Sequence, residues 1–244
     1  MKPLDASELL QTWERGAVSS PAQAILGLLL TACPEIPPER LPQLTIGERD
    51  ALLLTQREWM FGSQIEATAN CPACGERLEF SLTVADLRAV PALADAHELG
   101  QSAPLSASIG EYQIEFNLPT LDDLQNAANL EELLGRCLIQ ATKSKKPAAI
   151  RELPSSVIEA LNHRMAAADP QANTQLVLNC PACGHNWLAA FDIAAFLWEE
   201  IQSWAQRTLL EIHQLARAYG WSEAEILALS PARRQIYLAM IGAS

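Results

Sequence analysis

The pentapeptide CPACG occurs twice, at 71–75 and again at 180–184, and no other feature constrains the fold as tightly. Two CxxC pairs supply four thiolates, the number and type of ligand that close a tetrahedral zinc shell. In each copy a proline after the first cysteine stiffens the approach, and a glycine after the second permits the positive φ of a tight knuckle. IEATAN and RLEFSL frame the first copy, TQLVLN and HNWLAAF the second, so each reads as strand, knuckle, strand. The intervening segment, 75–179, far exceeds an ordinary ribbon loop, which leaves one ribbon with an inserted region or two separate sites. One site is favoured, because two would each need two further ligands. Near the knuckles only His185, crowded against Cys183, and scattered carboxylates are available. The expectation is one structural zinc ion on Cys71, Cys74, Cys180 and Cys183, clamping 64–82 to 174–191. A catalytic zinc keeps a position for water, which four thiolates do not leave.

Two rival chemistries use similar motifs. A CPxC oxidoreductase sets its first thiolate at a helix N-terminus, where the pKa falls; here strands follow the cysteines. Haem c attachment needs histidine directly after the second cysteine, and Gly184 stands there ahead of His185. The start, MKPLDASELLQTWERG, has no continuous apolar run, and the apolar stretch 24–32 is far short of the roughly 20 residues that span a bilayer. The expectation is a soluble cytoplasmic protein with reduced thiols. At 244 residues the chain can bury a core without disulfides, and 49% hydrophobic against 19% charged residues excludes the disordered class. A net charge of −12 repels polyphosphates and anionic lipid, so neither nucleic acid nor membrane is an expected partner.

Periodicity and caps predict a mainly α chain with a small antiparallel zinc ribbon, an α+β fold. LDASELLQTWERG and PAQAILGLLLTA read as two helices before a proline-rich connector at 33–42. Thr45 and Glu48 form a capping box for a third helix ending near Gly62. Tyr112, Ile114, Phe116 and Leu118 alternate as a strand, with Gly110 turning a hairpin. Thr120 opens a helix through LDDLQNAANLEELLGRCLI, a basic loop covers 143–147, and Ser156 with Glu159 caps a helix that stops at Asp169-Pro170. One long helix should span 192–219, with Leu197, Ile201, Trp204, Thr208, Ile212, Leu215 and Tyr219 on one stripe and Gly220 as C-cap. Ser222 with Glu225, and Ser230 before Pro231, then start two short helices. The expected division is an N-terminal helical segment and linker at 1–43, a helix plus ribbon with its inserted region (75–179) at 44–191, and a C-terminal helical region at 192–244.

No catalytic constellation emerges. His97, His163 and His213 are dispersed, Cys33 and Cys137 read as buried small residues, and no phosphate-binding glycine loop is present. The lysines of 143–146 read as a solvated loop. Trp187, Phe191, Phe196, Trp198 and Trp204 cluster around the second knuckle and the start of the long helix, where core packing is the ordinary role. Trp198 and Trp204 lie about 240° apart on a helical wheel, so one of them is a candidate to meet a partner.

GERDALLLTQREWMFG, CPACGERLEF, LPTLDDL, CPACGHNW, FDIAAFLWEEIQSWA and the closing AYGWSEAEILALSPARRQIYLAMIG together resemble the baseplate hub assembly chaperones of T-even-type contractile phages. The resemblance is to the version found beside extracellular contractile injection system genes, and it covers most of 44–242. It implies a non-enzymatic assembly chaperone or component of the baseplate hub or spike, cytoplasmic or associated with the particle, with hub or spike proteins as partners and no small-molecule substrate. The knuckles belong to the reading of this chain, since phage members need not carry both. On that reading the C-terminal helices, with Trp221, Arg233 and Tyr237, are the candidate recognition surface. The alternatives are a zinc-ribbon accessory protein of transcription or RNA processing and a CxxC oxidoreductase. The first would need a basic stripe, whereas Arg77 and His185 face Glu66, Glu76 and Glu79 around the knuckles.

Overall fold

The computed structural model describes residues 1–89, 98–144 and 146–242, so His97 and Lys145 lie outside the described residues. The chain forms two compact units, each built from segments distant in sequence. One comprises Met1 and Cys33–Ile193; the other joins Lys2–Ala32 to the chain from Ala194 onward.

The smaller unit is helical. Helices α1 (Ala6–Ala17) and α2 (Pro21–Ala32) come from the N-terminus. Asp5 caps α1 in a reciprocal box with Glu8. A Cβ on Gly16 of α1 would collide with the Trp198 ring, so the small residue lets that indole lie against the helix. Trp198 belongs to the long C-terminal helix of the same unit (Ile193–Tyr219), whose predicted stripe is buried at Leu197, Ile201, Thr208, Ile212 and Leu215. Trp204 packs on the core formed by Leu10, Ala205, Ile212, Leu215 and Ile226. Both tryptophans are thus half-buried within the unit, and neither is among its large exposed side chains. Two helices close the unit, Glu223–Leu227 with its Ser222–Glu225 box, and Pro231–Gly242.

The larger unit opens with α3 (Ile46–Phe61), capped by Thr45 and Glu48 and ended by Gly62. A hairpin follows, β1 (Gln64–Asn70) with β2 (Arg77–Thr83), then the short α4 (Val84–Leu87). A four-stranded antiparallel sheet is ordered β3 (Leu105–Ile109), β4 (Tyr112–Phe116), β5 (Leu138–Lys143), β6 (Lys146–Pro147). Helices α5 (Leu121–Asn126) and α6 (Leu130–Cys137) sit between β4 and β5 in sequence, and α7 (Ser155–Ala168) follows β6. Ile114, Phe116, Leu134, Cys137, Leu153, Leu161 and Met165 form the core between sheet and helices. The second hairpin, β7 (Gln175–Asn179) with β8 (Asn186–Ala190), completes the unit. In chain order the helices of the smaller unit are then α8 (Ile193–Tyr219), α9 (Glu223–Leu227) and α10 (Pro231–Gly242).

Three local expectations are corrected. The helix predicted through 121–139 is two helices, because the Asn129 side chain accepts from the Glu132 amide and starts α6 afresh. Its last residues, Leu138 and Ile139, are already strand, and β5 pairs with β4. The predicted cap at Ser156 is displaced, since α7 begins at Ser155 with Pro154 ahead of it and no side-chain cap bond. The basic loop at 143–147 instead contains the ends of two paired strands, with Ser144 in the left-handed region at φ 46°.

Candidate metal centre

Each CPACG copy folds the same way for the same reason. In the first, the Cys71 amide donates to the Glu76 carbonyl (2.8 Å) and the Gly75 amide to the Cys71 carbonyl (2.9 Å). In the second, Cys180 donates to His185 (2.9 Å) and Gly184 to Cys180 (2.8 Å). Gly75 and Gly184 adopt φ of 77° and 72°, the left-handed geometry that a side chain would strain. The strands hold the knuckles at the hairpin tips, in the one-to-one pairings Asn70–Arg77 and Asn179–Asn186.

The two tips meet. Sγ of Cys71 lies 3.7 Å from Sγ of Cys183, Sγ of Cys74 lies 3.6 Å from Sγ of Cys180, and all four sulfurs fall within 4.8 Å of one another. A tetrahedron with metal–sulfur bonds of about 2.3 Å has edges of about 3.8 Å, so the spacing is that of a four-thiolate metal site. The close pairs each take one sulfur from each hairpin, across 112 and 106 residues of chain. The four cysteines are therefore one cluster able to hold a metal ion. Cys71 and Cys180 are buried while Cys74 and Cys183 are exposed, which puts the cluster at the surface.

The thiols do not ionise alike. Burial pushes Cys71 up, but donation from the Cys74 and Ala73 amides and contact with neighbouring thiols outweigh it and bring its pKa down to about 7. For Cys74 the Glu76 amide favours the thiolate, yet the contacts with Cys183, Cys180 and Cys71 together with desolvation drive it up to about 12. The Cys183 thiol is also raised: donation from the His185 amide and contact with Cys74 are outweighed by burial and by contacts with Cys180 and Cys71. Thiolates this close repel one another, and a bound cation is what offsets their charge. Cys33 and Cys137 stand apart; burial pushes each thiol up to about 12, which leaves them inert.

A second fastening joins the hairpins at their bases. Gln171 lies in the turn Pro170–Asn173 just before β7 and is 3% exposed. Its Oε1 accepts from the Ala89 amide (2.9 Å), and its Nε2 donates to the Leu87 carbonyl (3.1 Å) and the Thr174 hydroxyl (3.1 Å). One amide side chain thus ties the exit of the first hairpin to the entrance of the second. Asp169, the C-cap of α7, accepts from the Gly47 amide (2.9 Å) at the start of α3, and a Cβ on Gly47 would collide with that carboxylate. Sequence reasoning found the four cysteines and missed both of these residues. In the sequence Asp169 marks only a helix stop, and nothing in the local pattern marks Gln171.

The family model described as T4 bacteriophage base plate protein matches residues 5–198, most of the chain and all of the cluster. The chain belongs to the T4 bacteriophage base plate protein family. Within this baseplate protein the match includes both hairpins and ends early in α8, so α9 and α10 lie beyond it. No curated protein and no solved structure matches the baseplate protein. Among the described residues no helix is long and apolar enough to cross a membrane.

Proposed function

We propose that this baseplate protein is a non-enzymatic assembly factor, or a component, of the hub or spike of a contractile tail or injection system. Its fold is clamped by one zinc ion on Cys71, Cys74, Cys180 and Cys183. The observation that carries the reading is the baseplate family match across the segment that contains the cluster. Zinc fits the donor set because four thiolates at tetrahedral spacing complete its preferred shell, and a complete shell supplies no water or substrate position. The ion would act as a fastening whose binding energy is folding energy. Strands rather than helices follow both CxxC pairs, which weighs against the oxidoreductase alternative.

The test has two parts. Purified protein should carry one zinc per chain with four thiols protected from alkylation; metal-free protein with stoichiometric disulfides would sink the clamp. Tagged protein co-expressed with the genes that neighbour its own should recover hub or spike proteins. Recovery of polymerase or RNA instead would favour an accessory role in transcription or RNA processing.

A further inference from the structure

Helix α10 breaks the rule that a surface helix is apolar on one side only. Its inner face is accounted for: Tyr237, Leu238 and Ile241 pack on the core of the smaller unit. Arg234 is 3% exposed, and its Nε donates to Glu211 at 3.1 Å and its NH1 to the Leu229 carbonyl at 2.9 Å. Tyr219, which is exposed, and the half-buried Trp221 and Tyr237 form an aromatic cluster, with ring centroids 4.6, 4.9 and 5.6 Å apart. Trp221 and Tyr237 therefore support the fold of this helix from within. The opposite face carries Ala232, Ile236, Ala239 and Met240, at i, i+4, i+7 and i+8, all exposed, with Ile236 57% and Met240 53% accessible. That spacing is a helix-packing seam, and its two alanines allow a close approach.

The charge beside the seam selects the occupant. From Ile226 to the C-terminus the chain has no acidic residue, although the whole chain carries −12. Arg234 is committed to Glu211, which leaves Arg233 as the exposed cation flanking the seam, its guanidinium 5.9 Å from the Tyr237 ring centre. One exposed arginine beside apolar side chains is too little charge for nucleic acid. A symmetric pair of α10 helices would bury far less than the roughly 800 Å² per partner of a stable interface, between two chains of like net charge. We infer that the outer face of α10 is a docking seam for an amphipathic helix of another baseplate protein, with carboxylates beside its apolar stripe to meet Arg233. This rests on the baseplate reading and gives it a contact surface.

The test uses the full chain, tagged and co-expressed with the hub and spike proteins, with a photo-crosslinking residue at Ala239. The expected crosslink joins Ala239 to a helical segment of one of those proteins that contains Asp or Glu. Ile236→Glu should lower the partner recovered by about 10-fold or more. Arg233→Glu should lower it several-fold and flatten its dependence on salt. Thiol protection and thermal midpoint should stay at wild-type values, which separates lost docking from lost folding. Wild-type recovery of hub or spike proteins with undiminished recovery by both variants overturns the seam and leaves the baseplate reading standing. A crosslink to a second copy of this chain likewise overturns the seam. Wild-type protein that recovers neither hub nor spike overturns both.

Discussion

The two knuckle hairpins share a motif, a turn and a cluster, but they differ in what they show to solvent. On β1–β2 the outward positions are Gln64, Glu66, Thr68, Asn70, Arg77, Glu79 and Ser81, and Ser81 donates to Glu66 at 2.7 Å. On β7–β8 they are Gln175, Val177, Asn179, Asn186, Leu188 and Ala190, without a single charge. Val177 and Leu188 face each other across the strands and are 79% and 63% exposed. An isolated two-stranded hairpin is marginal in water. These two meet at the tip through their cysteines and are joined at the base through Gln171, which leaves their outer faces free of the core. The difference teaches that hairpins with the same motif and the same tip geometry can present a charged face in one case and an uncharged, partly apolar face in the other.

The sharpest way to break the comparison is to take a ligand from one hairpin only. With a shared cluster, Cys71→Ser and Cys180→Ser should abolish metal binding equally and lower the thermal midpoint by about 10–20 °C. Half-stoichiometric zinc in either variant, read by metal analysis, would mean two separate sites. Next in size is the base. Gln171→Ala removes three hydrogen bonds and strands the Ala89 amide and the Leu87 carbonyl, at an expected cost of about 2–4 kcal/mol in denaturant unfolding of the metal-bound protein. A loss below about 0.5 kcal/mol would show that the tips alone hold the pair.

The flanks of the hairpins give a pH test. Asp50 lies on α3, ahead of the first hairpin, and Asp192 follows the second. Burial raises the Asp50 carboxyl to about 6; Arg49 opposes this, while Asp192 and Asp169 add to it. Burial likewise raises Glu48. A folded pKa above the ordinary 3.8 means that the stability linked to Asp50 is complete below about pH 4 and is lost as pH rises through 6. Asp50→Asn should remove a slope on the order of 2–3 kcal/mol across that window, measured by urea unfolding at stepped pH. An unchanged slope would clear Asp50 of the effect. The smallest expected effect is on the outer faces. Val177→Thr with Leu188→Thr should change stability by within about 0.5 kcal/mol, and a larger loss would show that this face packs in the isolated chain.

What could be read in the sequence was local. Thr45 with Glu48 and Ser222 with Glu225 formed the predicted boxes because capping is settled within one helical turn. The repeated CPACG marked the cluster because zinc chemistry is narrow. What escaped depends on neighbours far along the chain. Leu138 is strand because β4 is beside it, and Gln171 matters because Leu87 and Ala89 arrive opposite it. Alternation in TQLVLN separates Leu176 and Leu178 from Val177 but does not say that Val177 faces water. Tyr237 of α10 and Trp221, which precedes α9, pack on the core of their unit, whereas the plain aliphatic seam of α10 is exposed.

The long reach of the cluster also sets an order in time. Cys74 leaves the ribosome 106 residues before Cys180, a wait of about 5–20 s at ordinary synthesis rates. Through that interval the first knuckle has only half of its sulfurs, and the N-terminal helices of the smaller unit wait longer still for α8. The larger unit cannot close before β7 and β8 are made, nor the smaller one before α8. A chain that stops before Cys180 therefore carries an open thiol pair, and its N-terminal helices are without the helix that covers them in the folded unit.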